Sequence, residues 1–252
     1  MTSPPRPPAR AFLRARWCDL IFCSWPVAPE LLATHVPRGT TVDVHDGSAW
    51  ISIVAFAFRD TRMLGLPIPG HVHFPEVNLR TYVRRAHPDG DRRGVVFLEE
   101  LVPRRAIAWT ARALYDEPYH ACPMWGRNEV VDERSQARRV TYGWERAGSR
   151  PTVSAEFSGA PTALRDGSIT AFIAEHYWGY TPRRGGWTQE YQVNHLPWRV
   201  WESADISLSA DVATYYASQH DVRLVGALRG AAPSVFVAEG SPVTVSFGAR
   251  IT

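Results

Sequence analysis

The stretch Phe74–Val83 constrains the fold most, because its side chains alternate in character with a period of two. In an extended strand, one face carries the polar side chains of Glu76, Asn78, Arg80 and Tyr82. The other face carries the apolar or β-branched side chains of Val77, Leu79, Thr81 and Val83. This second face is typical of a strand that packs on a core. The polar face fits either a strand at the surface or the wall of a polar pocket.

Other segments share this alternation and are bounded by turn residues. Strands are predicted at residues 12–25, 48–59, 94–98, 138–145, 151–158 and 187–198, with two short strands within 234–251. Asp46-Gly47 predicts a hairpin that joins residues 41–45 to the strand at 48–59. Short helices are predicted at residues 28–32, 104–115 and 169–177. Many strands and few helices predict a mainly β (α+β) fold with a large, closed or strongly curved antiparallel sheet.

The composition indicates a globular, soluble protein. The chain has 252 residues, of which 45% are hydrophobic, and it contains no apolar run long enough for a membrane span. Residues 1–10 are rich in proline and arginine, so we expect a disordered tail there and a single domain over residues 11–252. No secretory signal is recognised, and the three cysteines show no paired or metal-binding spacing, so we expect a cytoplasmic protein. The scattered basic residues and the net charge of +3 give only weak support to nucleic-acid binding, so neither a nucleic-acid nor a membrane partner is expected.

The chain contains no lysine, because all 28 of its Lys and Arg residues are arginine. No side-chain amine is therefore present to form a Schiff base with a carbonyl substrate. Arginine remains protonated under ordinary conditions, so it can bind an anion but cannot act as a base.

Four motifs together resemble the YqjF-like family of bacterial proteins. They are Trp17-x-x-Leu20-x-Phe22-x-x-Trp25-Pro26-Val27, the polar strand Phe74–Val83, Ala111-Arg112-x-x-Tyr115-x-x-Pro118-Tyr119, and His195-Leu196-Pro197-Trp198. The resemblance covers about residues 17–198, and the polar strand is its most specific part. That family in turn resembles acetoacetate decarboxylase. The implied fold is a large antiparallel sheet curved into a cone or barrel around a cavity, with a few short helices outside.

The resemblance locates the position of the catalytic lysine of the decarboxylase. The decarboxylase motif ends in a proline followed by two lysines, of which the first forms the Schiff base. In this chain Arg112 and Pro118 match the motif, but Tyr119 and His120 replace the lysine pair. Decarboxylation through an imine is therefore excluded both at this position and in the chain as a whole.

The polar strand supplies the first candidates for a site. We expect Arg80 to bind the carboxylate of a ligand through its planar guanidinium group. The alternative is that Arg80 pairs with Glu76 or another local acid and only stabilises the sheet. Glu76 is a candidate general acid or base, or alternatively one half of a structural ion pair. Asn78 and Tyr82 are expected to orient the ligand or its neighbours.

Further candidates lie outside that strand. Tyr119 occupies the position of the catalytic lysine and is expected to polarise or protonate a ligand oxygen, unless it is an ordinary core tyrosine. His120 is a weaker ligand-binding candidate, since a histidine at a helix end often caps carbonyl groups. His195 is a candidate acid or base, or alternatively a histidine bonded to the backbone. Trp198 is a candidate wall for an aromatic or acyl ligand. In an extended strand His71 and His73 lie on the same face, as the ligands of some metal sites do, whereas Glu76 lies on the opposite face. Neither a metal nor any other cofactor is therefore expected.

Two functions fit these residues, and a third alternative remains. The first is a lyase-type enzyme that acts without a covalent intermediate on a small keto or other carboxylic acid, by decarboxylation, hydration–dehydration or enolisation. The second is a module that binds or sequesters a small anionic or aromatic molecule without turnover. The third is a scaffold with a vestigial pocket. A small anionic organic molecule is the expected partner in the first two cases, and a second copy of the chain is a further candidate partner.

Overall fold

The computed structural model describes residues 10–230 and 232–251. Its strands are β1 (Ala11–Val27), β2 (Thr41–Val42), β3 (Ala49–Met63), β4 (Leu66–Pro67), β5 (Phe74–Arg85), β6 (Arg92–Val102), β7 (Tyr119–Ala121), β8 (Met124–Asp132), β9 (Ala137–Trp144), β10 (Thr152–Phe157), β11 (Thr162–Ala163), β12 (Trp178–Arg183), β13 (Trp187–His195), β14 (Arg199–Trp201), β15 (Asp205–Leu208), β16 (Ser234–Ser246) and β17 (Ala249–Ile251). Its helices are α1 (Arg105–Tyr115), α2 (Ile169–Ala174), α3 (Ala210–Gln219) and α4 (Val222–Gly230), with a 3-10 helix at Pro29–His35.

The strands form a 13-stranded sheet and a second sheet of four strands, β15-β10-β9-β8. In the large sheet the pairing runs β1-β3-β5-β6-β12-β13, and β13 pairs with β16, which pairs with β1. This path returns to its first strand, so the sheet is curved into a closed ring. The prediction of a mainly β fold with a large curved sheet is confirmed.

The two faces of β5 lie against two different cores. Val77 and Leu79 pack in a core that β1 and β3 share with the four-stranded sheet, α3 and α4. Tyr82 packs in a second core, which contains Phe22, Val54 and residues of α2. Because both faces are covered, even Glu76, Asn78 and Arg80 are buried. The polar face of β5 therefore does not lie at the surface.

Several local predictions are also confirmed. The first predicted strand corresponds to β1, and the alanine-rich segment forms α1. Ser168 caps α2 by accepting a hydrogen bond from the backbone N–H of Ala171 at 3.1 Å. The predicted short helix after Pro26 forms as the 3-10 helix.

Two strand predictions were wrong. The Asp46-Gly47 turn forms, but it closes only a single bridge between His45 and Ser48, and β2 pairs with β5 instead of β3. The predicted pair of short strands around Gly240 is one continuous strand, β16, followed by the short β17. In β16, Gly240 has a φ of 82°, which lets the strand continue through a conformation that other residues rarely adopt.

Two predicted boundaries lie at the limits of the described chain. Residues 1–9 of the predicted tail are outside the described residues, and the single domain at 11–252 stays a prediction.

None of the helices in the described part of the chain is both long and apolar enough to cross a lipid bilayer.

Candidate functional site

A cavity of about 180 Å³ lies against the polar face of β5. Its polar lining includes Glu76, Asn78, Arg80, Glu100, Glu117 and Tyr119. Most of the remaining wall is aromatic or aliphatic. The cavity therefore combines a small polar region with a larger apolar one, as ligand pockets commonly do.

The polar region is assembled by three neighbouring strands. β5 contributes every second residue from Glu76 to Arg80, as a regular strand requires. β6 is antiparallel to β5 and places Glu100 opposite Asn78. β7 runs parallel to β6 and pairs Tyr119 with Glu100.

A bulge in β6 decides which of its residues face the cavity. Leu79 pairs with Glu99 while Arg80 pairs with Phe97, so Leu98 is the extra residue. Without this bulge, Phe97 and Glu100 would lie on opposite faces, because they are an odd number of residues apart. With it, both line the cavity, whereas Glu99 lies on the other face.

Both oxygens of the Glu76 side chain accept hydrogen bonds. The Tyr119 phenol donates to Oε2 at 3.2 Å, and the Asn78 amide donates to Oε1 at 3.4 Å. Tyr119, which was predicted to occupy the position of the decarboxylase lysine, is thus in contact with the polar strand. Glu76, Arg80 and Tyr119 all line the same cavity.

Three carboxyl groups share this buried region, and burial raises the pKa of each. Burial raises the pKa of Glu76 to about 8, with a further contribution from Glu117 and opposition from Asn78, Tyr119 and Arg80. The pKa of Glu100 lies well above its ordinary value because of burial and of repulsion from Glu117 and Glu76. The pKa of Glu117 is raised to about 7, again mainly by burial. Near neutral pH the cluster therefore retains protons and can donate them.

The same carboxyl groups raise the pKa of the Tyr119 phenol. Burial is the main cause, and repulsion from Glu100, Glu76 and Glu117 adds to it. Tyr119 therefore stays neutral and acts as a hydrogen-bond donor. On the far side of the cluster, Tyr191 and Thr181 donate hydrogen bonds to Oε1 of Glu117.

Arg80 is a buried cation that forms no ion pair with a carboxylate in the described part of the chain. The Arg80 residue is only 7% exposed. Nε donates to the Tyr82 hydroxyl at 3.4 Å and Nη2 to the carbonyl of Ile173 at 3.5 Å, both long distances. Among the described residues, no Asp or Glu side chain forms an ion pair with it. The alternative prediction that Arg80 pairs with Glu76 or another local acid is wrong.

Two other predicted site residues lie next to each other but outside the cavity lining. The ring of His195 stacks on that of Trp198, with centroids 4.1 Å apart. Nδ1 of His195 lies 2.9 Å from the carbonyl of Leu196, and Trp198 donates to Ser241 at 3.0 Å. Burial lowers the pKa of His195 to about 4, so this histidine is neutral at physiological pH. This packing matches a histidine bonded to backbone.

Tyr82 and His120 also lie apart from the cavity lining. Tyr82 is fully buried behind Arg80, and its hydroxyl lies 2.6 Å from that of Ser52. His120 faces a separate surface pocket, which it lines together with Arg105, Arg112 and Arg146. Of the predicted ligand-binding residues, Asn78 and Arg80 are therefore the ones in the cavity wall.

Glu100, Glu117 and Tyr191 belong to the polar cluster but were missed by the sequence analysis. Glu100 lies beyond the strand predicted at residues 94–98, directly after another glutamate, and the bulge at Leu98 places it opposite Asn78. Glu117 stands next to Pro118 in the motif that carries the family resemblance, which was an available signal. Tyr191 had no signal beyond the alternation of its strand.

The two histidines before β5 do not form a metal-binding strand. Nδ1 of His71 lies 2.9 Å from the carbonyl of Pro69, and Nδ1 of His73 accepts a hydrogen bond from the backbone of Asp60 at 3.3 Å. Only His71 lines the cavity. Within residues 10–230 and 232–251, no group of three or more His, Cys, Asp or Glu side chains could hold a metal ion.

Comparison with known proteins places this chain in a family. Residues 14–242 match the family DUF2071, which is described as "Uncharacterized conserved protein". The protein YqjF of Bacillus subtilis strain 168 is 32% identical over 206 residues, covering 80% of this chain and 80% of that protein. The chain belongs to the YqjF-like family. The match confirms the resemblance that the four motifs predicted.

Solved structures in the acetoacetate decarboxylase-like fold superpose on almost the whole chain. Acetoacetate decarboxylase of Legionella pneumophila has a TM-score of 0.60 at 11% identity, covering 100% of this chain and 92% of that chain. An acetoacetate decarboxylase-like enzyme of Sphingomonas wittichii RW1 has a TM-score of 0.60 at 14% identity, covering 95% and 92%. The enduracididine biosynthesis enzyme MppR, complexed with pyruvate, has a TM-score of 0.63 at 12% identity, covering 100% and 92%. The YqjF-like chain therefore has the acetoacetate decarboxylase-like fold.

Proposed function

We propose that this YqjF-like protein is an enzyme that binds a small keto acid in the cavity and moves protons on it without a covalent intermediate. The observation that carries the proposal is the buried guanidinium of Arg80, which has no carboxylate partner among the described residues. A buried cation needs an anion to offset its lost hydration. The carboxylate of a ligand supplies that anion, and the guanidinium plane suits it.

The neutral carboxyl groups supply the proton-transfer chemistry. Glu76, whose pKa of about 8 keeps it protonated at pH 7, donates its proton to the carbonyl oxygen of the ligand. Glu117, with a pKa of about 7, is partly ionised and accepts a proton from the carbon next to that carbonyl. The product is the enol, and the reverse step restores the ketone. Tyr119 and Asn78 hold the Glu76 side chain in place during both steps.

The arginine favours enolisation or hydration over decarboxylation. An ion pair with Arg80 stabilises the carboxylate of the bound acid in the ground state. Loss of carbon dioxide removes that negative charge, so the ion pair opposes the reaction. Enolisation and hydration leave the carboxylate intact, and the ion pair then serves to position the substrate.

Hydrogen–deuterium exchange at the methyl group of pyruvate tests the enzymatic proposal. We expect the wild-type protein to accelerate this exchange, as measured by NMR in deuterated buffer. Glu76→Gln should retain pyruvate binding but lower the exchange rate by about 100-fold, a typical loss for a general acid–base group. Arg80→Gln should instead raise the Kd about 10-fold or more, because a charge-assisted hydrogen bond is lost. The exposed-pair variant Arg139→Gln is the matched control and should change neither quantity.

Three outcomes would contradict the proposal. If no keto acid binds, or if Arg80→Gln leaves binding unchanged, the assigned anion site is wrong. If borohydride traps a covalent adduct with pyruvate, the non-covalent mechanism is wrong. If Glu76→Gln exchanges pyruvate as fast as the wild type, Glu76 is not the acid.

The second candidate function is a binding module without turnover. The replacement of the lysine by Tyr119, whose phenol already donates to Glu76, favours it, because the nucleophile of the related fold is absent. Tight binding of a keto acid that depends on Arg80, with no exchange above the rate in buffer, would support this function. Such a result would leave the anion site intact and remove only the catalytic step.

A further inference from the structure

Two pairs of arginines face each other across β1 and β3. In the register of these strands Arg14 lies opposite Arg62, and Arg16 lies opposite Arg59. All four are exposed, whereas neighbouring residues such as Leu13 point inward and line the cavity. Like charges directly opposite each other on paired strands destabilise a sheet. The fold therefore gains nothing from this arginine patch, as we call the four residues.

No carboxylate neutralises the arginine patch. Within the described part of the chain, none of its four guanidinium groups forms an ion pair. Asp60 is a chain neighbour of the patch, but its carboxylate also forms no ion pair among the described residues. On the other edge of β1, Arg14 and Arg16 pair with the uncharged residues Thr244 and Pro242. The patch is therefore a surface of excess positive charge, which fits an anionic partner.

The turn that follows β3 exposes leucine side chains. Met63 pairs with Leu66, so Leu64 and Gly65 are the two central residues of the turn. Leu64 is 62% exposed and Leu66 is 70% exposed. Leu64 also has a φ of 52°, a conformation that Asn, Asp and Gly favour in such a turn and that leucine rarely adopts. An exposed leucine in this conformation does not stabilise the hairpin, so its side chain is available to a partner.

Two further apolar side chains enlarge this surface. Ile68 and Phe247 are both exposed, and the Phe247 ring lies 5.6 Å from that of Phe12. The backbone N–H of Leu64 donates to the carbonyl of Phe12 at 2.9 Å, which holds the turn beside these rings. We call Leu64, Leu66, Ile68 and Phe247 the apolar tip. Ile68 and Phe12 also line the cavity, so the cavity reaches the surface at this tip.

We propose that the arginine patch and the apolar tip together dock the protein on the surface of an anionic lipid bilayer. Apolar side chains that enter the boundary between headgroups and acyl chains, next to basic side chains that face anionic lipids, are a common means of interfacial binding. A strand advances about 3.4 Å per residue, so along β3 Arg62 lies about 7 Å and Arg59 about 17 Å from Leu64. The arginines therefore stand near the headgroups when the tip is inserted, and the cavity faces the membrane.

Other partners fit this surface less well. A second copy of the chain in a two-fold symmetric interface would bring the same arginines against each other. A nucleic acid supplies phosphates but no apolar medium for the leucines. The four arginines are far apart in the sequence, so no membrane partner was expected until the pairing of β1 with β3 brought them together. The docking face is independent of Arg80 and of keto acid binding.

Flotation of the full chain with vesicles of phosphatidylcholine, with and without phosphatidylserine, tests the proposal. We expect at least about 10-fold stronger partition onto the vesicles that contain phosphatidylserine, and a loss of this preference as salt screens the charges. The double variant Arg14→Gln with Arg62→Gln should lower the partition about 20-fold, because two basic groups are lost from the surface. Its melting temperature should be no lower than that of the wild type, since one repelling pair is removed.

Leu64→Asn separates docking from stability. It gives the Asn-Gly dipeptide that this type of turn favours, so the melting temperature should rise. Partition should nevertheless fall about 10-fold, because an apolar side chain is lost from the tip. Val130→Asn replaces an apolar residue that is exposed in the second sheet and should leave partition unchanged. The double variant Arg139→Gln with Arg199→Gln removes the same charge as the patch variant, but from exposed ion pairs elsewhere, and should also leave it unchanged.

Several results would overturn the proposal. Absence of binding to anionic vesicles, or equal binding to both kinds of vesicle, would exclude a docking face for anionic lipids. Wild-type partition by the patch variant or by Leu64→Asn would show that these residues do not contact the membrane. A dimer in sedimentation experiments that Leu64→Asn dissociates, without vesicle binding by the wild type, would assign the tip to a second copy instead.

Discussion

The guanidinium of Arg80 is hydrogen-bonded to one end of a series of three hydroxyl groups. The Ser24 hydroxyl lies 2.7 Å from that of Ser52, which lies 2.6 Å from the hydroxyl of Tyr82, and Tyr82 in turn accepts from Nε of Arg80 at 3.4 Å. These partners carry no charge, so they orient the guanidinium without neutralising it. This arrangement leaves the cation available to a ligand and assigns Tyr82 a positioning role.

Removal of the Tyr82 hydroxyl tests that positioning role. We predict that Tyr82→Phe lowers the free energy of unfolding by about 1 kcal/mol, since a buried hydrogen bond is lost. It should also raise the Kd for pyruvate, because Arg80 loses the acceptor that fixes its orientation. Urea unfolding and calorimetric titration measure the two effects. The control variant Tyr215→Phe removes a buried hydroxyl bonded to Glu99, outside the cavity, and should destabilise the fold without changing the Kd.

The raised pKa of Glu76 makes stability depend on pH. Its ordinary pKa is 4.5 and its folded value is about 8, so between these values the unfolded chain binds fewer protons than the folded chain. The free energy of unfolding therefore falls as the pH rises from about 4.5 to about 8, by at most about 1.4 kcal/mol per pH unit for this group. We predict that Glu76→Gln makes this decline less steep in urea unfolding experiments. An unchanged slope would show that Glu76 ionises normally in the folded protein.

Among the elements, β5 was predictable because its residues 76–83 alternate in character with a period of two. Val77 and Leu79 on its apolar face lie in the first core, and Glu76, Asn78 and Arg80 on its polar face line the cavity. β6 was not predictable to the same depth. The bulge at Leu98 shifts the parity of Glu100, and a bulge depends on the register with β5, which a single strand sequence does not encode.

The wrong hairpin prediction has a similar cause. The pairing of β3 with β5 ends at Ile51 and Thr81, which leaves the backbone of Val83 and Arg84 without a partner on that edge. β2 supplies that partner by pairing with both residues. The Asp46-Gly47 signal correctly predicted a turn, but the choice of partner for β2 was made by a distant strand.

Position 179 in β12 requires glycine, because the side chain of its cross-strand neighbour occupies the space that a Cβ would need. It pairs with Tyr191, and a Cβ at position 179 would overlap the Tyr191 ring, which is bonded to Glu117. We predict that Gly179→Ala lowers the free energy of unfolding by about 2 kcal/mol or more, because overpacking displaces the ring. The control Gly226→Ala in α4 has open space around its Cβ and should raise that free energy by about 0.5–1 kcal/mol. Equal effects at the two positions in urea unfolding would contradict this account.

Glu99 and Glu100, which are neighbours in β6, face opposite sides of the large sheet. Glu100 faces the cavity, where its pKa is raised by burial and by other carboxyl groups. Glu99 faces the opposite core, where Arg146 and Tyr215 donate hydrogen bonds to its Oε1. His220, Tyr215 and Arg146 together hold the pKa of Glu99 below its ordinary value against the effect of burial. The carboxylate of Glu99 is therefore stabilised by a direct ion pair, whereas the pKa of Glu100 on the cavity face is raised by burial and neighbouring carboxyl groups.

The Glu99 cluster joins the large sheet to β9 and α3, because Arg146 follows β9 and Tyr215 lies on α3. We predict that Arg146→Gln lowers the free energy of unfolding by about 3 kcal/mol, since it leaves a buried carboxylate without its cation. The loss should be smaller in the double variant Glu99→Gln with Arg146→Gln, in which no buried charge remains. The exposed pair of Arg139 and Glu156 gives the matched control, and Arg139→Gln should change stability by about 0.5 kcal/mol or less. Equal losses at Arg146 and Arg139 in urea unfolding would show that the cluster does not hold the two sheets together, and keto acid binding at Arg80 should be unaffected in either case.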